Sequence, residues 1–206
     1  MKLYSNALSG NCYKVRLLLA QLGVEYELET LDVIDRSNRP DVLGGLNPAL
    51  RVPTLVLDST TSRSDDGRPL GESAAILLYL AEGTEYLPSD RYERALVAQW
   101  LFFEQYEIEP KIAVARFKLE IAPGEPDLAQ LAELQAAGEK ALSAMELHLA
   151  GGREWFVADR YTIADIALNG YTHVAGEAGI DLAGYPNVQA WHRRITEQPG
   201  WVAMTA

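Results

Sequence analysis

The fold of this chain is decided by the stretch Asn47-Pro48-Ala49-Leu50-Arg51-Val52-Pro53-Thr54-Leu55, which leads into further apolar residues. Short apolar runs bounded by turn-forming residues are typical of strands. A proline is tolerated at the start of such a strand, and the bond before it can be cis at small cost. A cis bond would turn the backbone of Val52 outward as an unpaired edge for a peptide-like ligand. A trans Pro53 that opens an edge strand is the alternative.

Strands and helices alternate around this stretch through residue 81. Periodicity predicts strands at 3–6, 26–33, 52–58 and 68–70, and helices at 11–22, 39–46 and 72–80. Residues 59–67 are polar and are predicted to form a turn or loop. The predicted order is therefore β-α-β-α-β-β-α, an α/β arrangement.

Strand signals disappear after Pro88, and long helical patterns follow. Helices are predicted at 92–118, with a kink or break at Pro110, and at 128–149, 162–177 and 187–198. Thr162 and Asp165 have the spacing of a capping box. We therefore expect an α/β domain over residues 1–81, a linker over 82–88 and an all-helical domain over 89–206.

Composition excludes several classes of function. The chain has 206 residues, 48% of them hydrophobic, and a net charge of −11. Because nucleic-acid phosphates would be repelled, we expect no DNA or RNA partner. No apolar run approaches the ~18 residues of a membrane-spanning helix, so we expect no membrane association.

The cysteine and histidine content points to a cytoplasmic protein without a metal. Cys12 is the one cysteine, so no internal disulfide can form, and a reducing cytoplasm is the expected location. The three histidines are far apart in the sequence and no cysteine cluster exists, so no metal site is expected.

Two predicted helix starts have the chemistry of anion sites. Ser9 and Asn11 place side-chain donors where the backbone N–H groups of a helix start are unpaired. Glu72 and Ser73 open another helix, where a serine hydroxyl suits a carboxylate and Glu72 suits an ammonium group. Ordinary helix capping is the alternative in both places.

Together these segments identify the family. The chain resembles the glutathione transferases, whose hallmarks it carries in order over essentially its whole length, at residues 9–16, 47–55, 70–77 and 161–167. The resemblance implies a thioredoxin-like N-terminal domain followed by a C-terminal helical bundle. It also implies a homodimer and glutathione as co-substrate. Ser9 and Asn11 make the chain most similar to the theta, tau, zeta and nu-like classes of this family.

The resemblance also implies roles for individual residues. Pro53 is similar to the family's cis-proline, and Val52 to the residue whose backbone pairs with the cysteinyl part of glutathione. Glu72 and Ser73 match the residues that bind the γ-glutamyl amine and carboxylate. The remaining matches are Arg51, near the glycyl carboxylate, and Ser9 and Asn11, as donors to the glutathione thiolate.

Simple energetics agree with the roles of Ser9 and Asn11. A free thiol has a pKa of ~8.5, so little of it is the nucleophilic thiolate at neutral pH. Lowering that pKa by ~2 units needs roughly 2.7 kcal/mol. One or two charge-assisted hydrogen bonds supply this amount, so no general base is required.

Other side chains near these motifs have simpler expected roles. Tyr4 is expected in the core and Cys12 as inert packing, while Lys14 and Arg16 are expected to be solvated or structural charges. The candidates for the second-substrate pocket are Tyr13, Tyr106 and Arg116. Glu104 is a further candidate, for contact with a glutathione amine.

Three functions remain open from the sequence. The first is conjugation of glutathione to small hydrophobic electrophiles. The second is glutathione-dependent reduction of disulfides or peroxides, and the third is a non-catalytic binding module. Isomerisation of the zeta kind is weaker, since that class has Ser-Ser-Cys-Ser where this chain reads Ser9-Gly10-Asn11-Cys12. In a homodimer, residues 59–67 and the helices that begin at Glu72 and Arg91 should lie near the partner.

Overall fold

The computed structural model describes residues 1–59 and 64–206 and divides into two compact units. The first unit is Met1–Glu82 with Pro199–Ala206, and the second is Gly83–Gln198. The expected fold class, a thioredoxin-like domain and a helical domain, is confirmed. The expected division placed the last eight residues in the helical domain, whereas in the structure they belong to the first unit.

The first unit is built on a four-stranded sheet of order β2-β1-β3-β4. Its strands are β1 (Lys2–Ser5), β2 (Glu27–Thr30), β3 (Thr54–Val56) and β4 (Pro69–Gly71). β1 is parallel to β2, and the other two pairs are antiparallel. The helices are α1 (Gly10–Gln21), α2 (Arg39–Leu43) and α3 (Ser73–Ala81). Of the predicted loop 59–67, residues 60–63 lie outside the described residues.

The register of this sheet gathers three loops at one end. Tyr4 pairs with Thr54, and Thr54 pairs with Gly71. Because β3 is antiparallel to both neighbours, the end of β1, the start of β3 and the end of β4 lie side by side. The segments that follow β1, precede β3 and follow β4 therefore meet at this end, and these are the three segments singled out from the sequence.

The C-terminal residues pack against α1. The Tyr13 hydroxyl donates to the Val202 carbonyl at 3.0 Å, and Nη1 of Arg16 donates to the Ala206 carbonyl at 3.0 Å. Nη2 of Arg16 also donates to the Met204 carbonyl. Arg16 is thus a structural charge, and its buried guanidinium binds the end of the chain to α1.

The second unit is helical. Its helices are α4 (Arg91–Phe103), α5 (Val114–Arg116), α6 (Leu128–Leu149), α7 (Ile163–Thr172) and α8 (Pro186–Thr196), with π-helical turns over Glu104–Ala113 and Phe117–Ile121. Pro110 lies inside the first π-helical stretch. The regular α-helix is thus interrupted around Pro110, in agreement with the expected kink or break, and the wider turns accommodate a residue that has no N–H to donate. No helix of the described residues is long and apolar enough to span a membrane.

The predicted capping box at the start of α7 is confirmed. The Thr162 hydroxyl accepts from the Ala164 N–H, and Asp165 accepts from the Thr162 N–H at 2.9 Å. The Asp165 carboxylate also accepts from the Phe156 N–H at 3.2 Å and from Nε1 of Trp191 at 2.9 Å. A local cap therefore also joins α7 to α8 and to the segment before it.

Candidate functional site

Ser9 lies at the N-cap of α1. Its backbone is extended, with φ −92° and ψ 116°, and its Oγ accepts from the Cys12 N–H at 3.3 Å. Capping, the alternative that the sequence left open, is therefore present. A hydroxyl that accepts such a bond keeps its own proton to donate. Capping and donation to a ligand are thus compatible at Ser9.

Asn11, the second residue of α1, contacts both α1 and α3. Its Oδ1 accepts from Nζ of Lys14 at 2.7 Å and from Oγ of Ser73 at 3.2 Å. Lys14 is completely buried. Of the two expected roles, solvated or structural charge, the structure shows the second, because the ammonium group lies inside the first unit against Asn11.

Cys12 faces the interior. The residue is completely buried, and burial raises the pKa of its thiol. Hydrogen bonds with Ser9 and Ser5 lower this pKa, but their effect is smaller than that of burial. The thiolate is the reactive form of cysteine, and burial disfavours it. The structure therefore agrees with the expectation that Cys12 is inert packing.

The bond between Val52 and Pro53 is a cis peptide, as the sequence suggested. Pro53 is buried, Val52 is half-buried, and the neighbouring Arg51 is exposed. The geometry leaves the Arg51 guanidinium at the surface, where an anionic ligand group can meet it.

Two buried side chains, Asn47 and Arg39, hold the loop before β3, and neither was predicted to have a role in the site. Nδ2 of Asn47 donates to the Arg51 carbonyl at 3.2 Å and to Oγ1 of Thr54 at 2.9 Å. Nη1 of Arg39 donates to the carbonyl of Leu50 at 3.0 Å. Leu50 has φ 53°, which only glycine adopts easily. An Asn-Pro pair in a loop is the one sequence signal that could have pointed to Asn47.

Glu72, between β4 and α3, has a strained backbone. Its φ of 62° and ψ of 118° lie outside the regions that non-glycine residues favour. Such conformations cost about 1–3 kcal/mol and concentrate at functional sites. The Glu72 side chain is exposed, while Ser73 opens α3 as a buried residue with its hydroxyl on Asn11.

The sheet end thus brings most of the predicted ligand-binding residues together. Ser9 and Asn11 follow β1, Val52 and Pro53 precede β3, and Glu72 and Ser73 follow β4. The 3.2 Å contact between Asn11 and Ser73 joins the first and third of these segments directly. Hydroxyl, amide and helix-start N–H donors next to a carboxylate can bind a zwitterionic, peptide-like molecule.

The candidates for a second-substrate pocket have different surroundings. Tyr13 is 1% exposed, with its hydroxyl on the Val202 carbonyl, so it belongs to the core of the first unit and cannot line an open pocket. In the second unit, buried Arg116 is paired with Glu177 at 2.6 Å, which is a structural contact. Glu104 is also buried. Tyr106 is 74% exposed, and Nζ of Lys111 lies 4.9 Å from the centre of its ring.

Within residues 1–59 and 64–206, the structure has no group of three or more histidine, cysteine, aspartate or glutamate side chains that could hold a metal ion. Burial lowers the pKa of all three histidines, and that of His192 falls to about 3. His192 lies 2.9 Å from Oγ1 of Thr172, between α7 and α8. These histidines are therefore packing residues of the helical unit.

Comparisons with known proteins bear on the family of the chain. The family model described as "Glutathione S-transferase, N-terminal domain" matches residues 8–82, and the one described as "Glutathione S-transferase, C-terminal domain" matches residues 97–199. A possible glutathione S-transferase from Rhodopseudomonas palustris has a solved structure with a TM-score of 0.90 and 44% identity, covering 100% of this chain and 98% of the other.

The names of two further relatives bear on the reaction and on the ligand. The disulfide-bond oxidoreductase YfcG of Escherichia coli is 32% identical over 193 residues, 92% of this chain and 87% of that protein. A glutathione transferase from Burkholderia graminis was solved with two glutathione molecules bound per subunit. Its TM-score is 0.83 at 30% identity, covering 97% of this chain and 84% of the other.

Proposed function

The chain belongs to the glutathione S-transferase family, and from this premise we propose that it conjugates the thiol of glutathione to small hydrophobic electrophiles. The observation that supports the proposal best is the meeting of three donor-bearing segments at one end of the sheet. Ser9 and Asn11 lie at the start of α1, where a developing thiolate would also be stabilised by the partial positive charge of the helix start.

We propose that the ends of glutathione bind to the other two segments. The γ-glutamyl ammonium binds the exposed Glu72 carboxylate, and the γ-glutamyl carboxylate binds the backbone N–H of Ser73 and the next N–H groups of α3. The backbone of Val52 pairs with the cysteinyl part, and Arg51 neutralises the glycyl carboxylate. These contacts place the thiol near Ser9 and Asn11.

The chemistry then needs no general base. The thiol proton leaves to water, because donors from Ser9 and Asn11 favour the thiolate. The thiolate attacks an electrophilic carbon, a carbon–sulfur bond forms, and the leaving group departs with the electron pair of its bond.

A second candidate function is disulfide reduction on the same site. It is favoured by Asn11 at the start of α1 and by the similarity to an oxidoreductase of disulfide bonds. Because Cys12 is buried, the attacking sulfur would be that of glutathione itself. Attack on a mixed disulfide of glutathione would give oxidised glutathione and release the other thiol, so sulfur and electrons balance.

The test is conjugation of glutathione to an aromatic chloride, measured from acid to alkaline pH in the wild type and in the Ser9→Ala and Asn11→Ala variants. We expect a loss of kcat/KM of roughly 10- to 1000-fold and an upward shift of the pH profile where the main donor is removed. A mixed disulfide is assayed in parallel. Turnover of the disulfide alone would favour the second function, and bound glutathione without any turnover would favour a binding module.

We also propose a cytoplasmic homodimer. Tyr92 and Phe102 on α4 are large hydrophobic residues that are more than 70% exposed, and a partner would cover them. Light scattering coupled to size exclusion tests this: a mass near the 22.7 kDa of one chain would contradict it.

A further inference from the structure

A buried cation lies next to the proposed thiol site, and the chemistry above does not use it. Lys14 is completely buried, one helical turn after Asn11 on α1. Removing an ammonium group from water is costly unless it gains compensating contacts. Its Nζ lies 2.7 Å from Oδ1 of Asn11, within the range of a strong hydrogen bond.

We infer that Lys14 is a positioning residue that orients the side-chain amide of Asn11 towards the glutathione thiol. The inference rests on the proposed function and assigns to that site a residue that makes no contact with substrate. A lysine ammonium has donors only, so the atom of Asn11 that faces it must be the oxygen. The planar amide then directs Nδ2 and its two N–H groups away from Lys14.

Ser73 fixes the same orientation from a second helix. Its Oγ lies 3.2 Å from Oδ1 of Asn11, so this oxygen is bound by groups on both α1 and α3. Two donors from different elements restrain both the flip and the plane of the amide. Without Lys14, the Asn11 side chain could rotate and present its oxygen, which repels a thiolate.

Lys14 also strengthens the donor. Hydrogen bonds in a chain polarise one another, so an amide whose oxygen accepts from a cation has a more acidic N–H. A thiolate beside that N–H is stabilised more than it would be by a neutral, unpolarised amide. The thiol proton still leaves to water, and no bond of Lys14 forms or breaks.

The test compares Lys14→Met, which removes the donor and the charge, with Lys14→Gln, which removes the charge and keeps a neutral donor on a side chain one bond shorter. Each change is made in the wild type and in the Asn11→Ala variant. The measurements are kcat/KM against pH with the aromatic chloride, and titration of the ultraviolet absorbance of the thiolate of bound glutathione. Thermal unfolding checks that each variant is folded.

We expect Lys14→Met to raise the pKa of the bound thiol by about one unit, a tenfold loss of thiolate below that pKa. Lys14→Gln should raise it by less than half as much. In the Asn11→Ala background, Lys14→Met should cause no further shift, because the group through which it acts is gone. A residue that only joins α1 to α3 would change the unfolding temperature and leave the pH profile in place.

A folded Lys14→Met variant with the wild-type profile would overturn the inference, as would an equal shift in the Asn11→Ala background. If Lys14→Met does not fold, Lys14→Gln decides: an upward shift of the thiol pKa that disappears in the Asn11→Ala background supports the inference, and a profile like that of the wild type overturns it. If the wild type does not lower the thiol pKa of bound glutathione, the proposed function fails and this inference with it. A lowered pKa that Lys14→Met leaves unchanged refutes only the role of Lys14.

Discussion

The Asp165 carboxylate should be the most sensitive polar group of the helical unit. It is completely buried and accepts from the N–H groups of Phe156 and Thr162, from the Thr162 hydroxyl and from Nε1 of Trp191. Asp165→Ala would leave three N–H donors in the interior without an acceptor. Each such donor costs about 1–3 kcal/mol, so for three of them we expect a loss of roughly 3–9 kcal/mol in the free energy of unfolding.

Two matched variants separate the parts of this effect. Thr162→Ala removes the hydroxyl cap and should cost about 1 kcal/mol. Asp165→Asn keeps the shape but replaces one accepting oxygen with a donor, so its cost should lie between those of the other two variants. Urea unfolding followed by far-ultraviolet circular dichroism gives all three free energies. A cost of Asp165→Ala below that of Thr162→Ala would refute the reasoning.

The pH dependence of the same group has a defined sign. Burial raises the pKa of Asp165 to about 6, well above the ordinary value of an aspartate. Between about pH 6 and 4 the folded state binds a proton that the unfolded state releases, so this group increases stability as the pH falls. Asp165→Asn removes the contribution. The free energy of unfolding of the wild type, minus that of the variant, should therefore rise towards pH 4.

Two further predictions concern other buried groups. Burial lowers the pKa of His192 to about 3. Between about pH 6.5 and 4 the unfolded state therefore binds more protons than the folded state, and the stability falls as the pH falls. In urea titrations at acid pH, His192→Gln should recover up to ~3 kcal/mol of that loss. An acid loss unchanged by the substitution would contradict this. Because its thiol is fully buried, Cys12 should react with a thiol reagent only as fast as the protein opens, and the labelling rate should increase with the denaturant concentration. Labelling of the native protein at the rate of a free thiol would contradict this.

Much of the fold follows from local sequence patterns. The order of strands and helices in the first unit follows from the spacing of apolar residues and from breakers such as Gly23, because each element is set by residues a few positions apart. The capping box at Thr162 and Asp165 is local in the same way, and it was predicted correctly. The candidate ligand-binding residues were also found from the sequence, since each lies at the start of a helix or strand.

Tertiary structure decided what each side chain contacts. A lysine such as Lys14 is usually solvated, and the sequence does not show that this one is buried. Tertiary packing buries it beside Asn11. Tyr13 is a pocket candidate by sequence, but its hydroxyl donates a hydrogen bond to the Val202 carbonyl, 189 residues later in the chain. Arg116 was another, and its Glu177 partner lies 61 residues away.

The physical reason is the range of the interactions. Backbone geometry and capping depend on neighbours within a few residues, so periodicity and turn chemistry can determine them. Burial of a charge, or the partner of a hydroxyl, depends on which distant segments are packed together, and one sequence carries no direct record of that. The sequence alone thus determined the elements and the ends at which the candidate ligand-binding residues lie, while the packed structure decided which polar groups are buried in internal contacts.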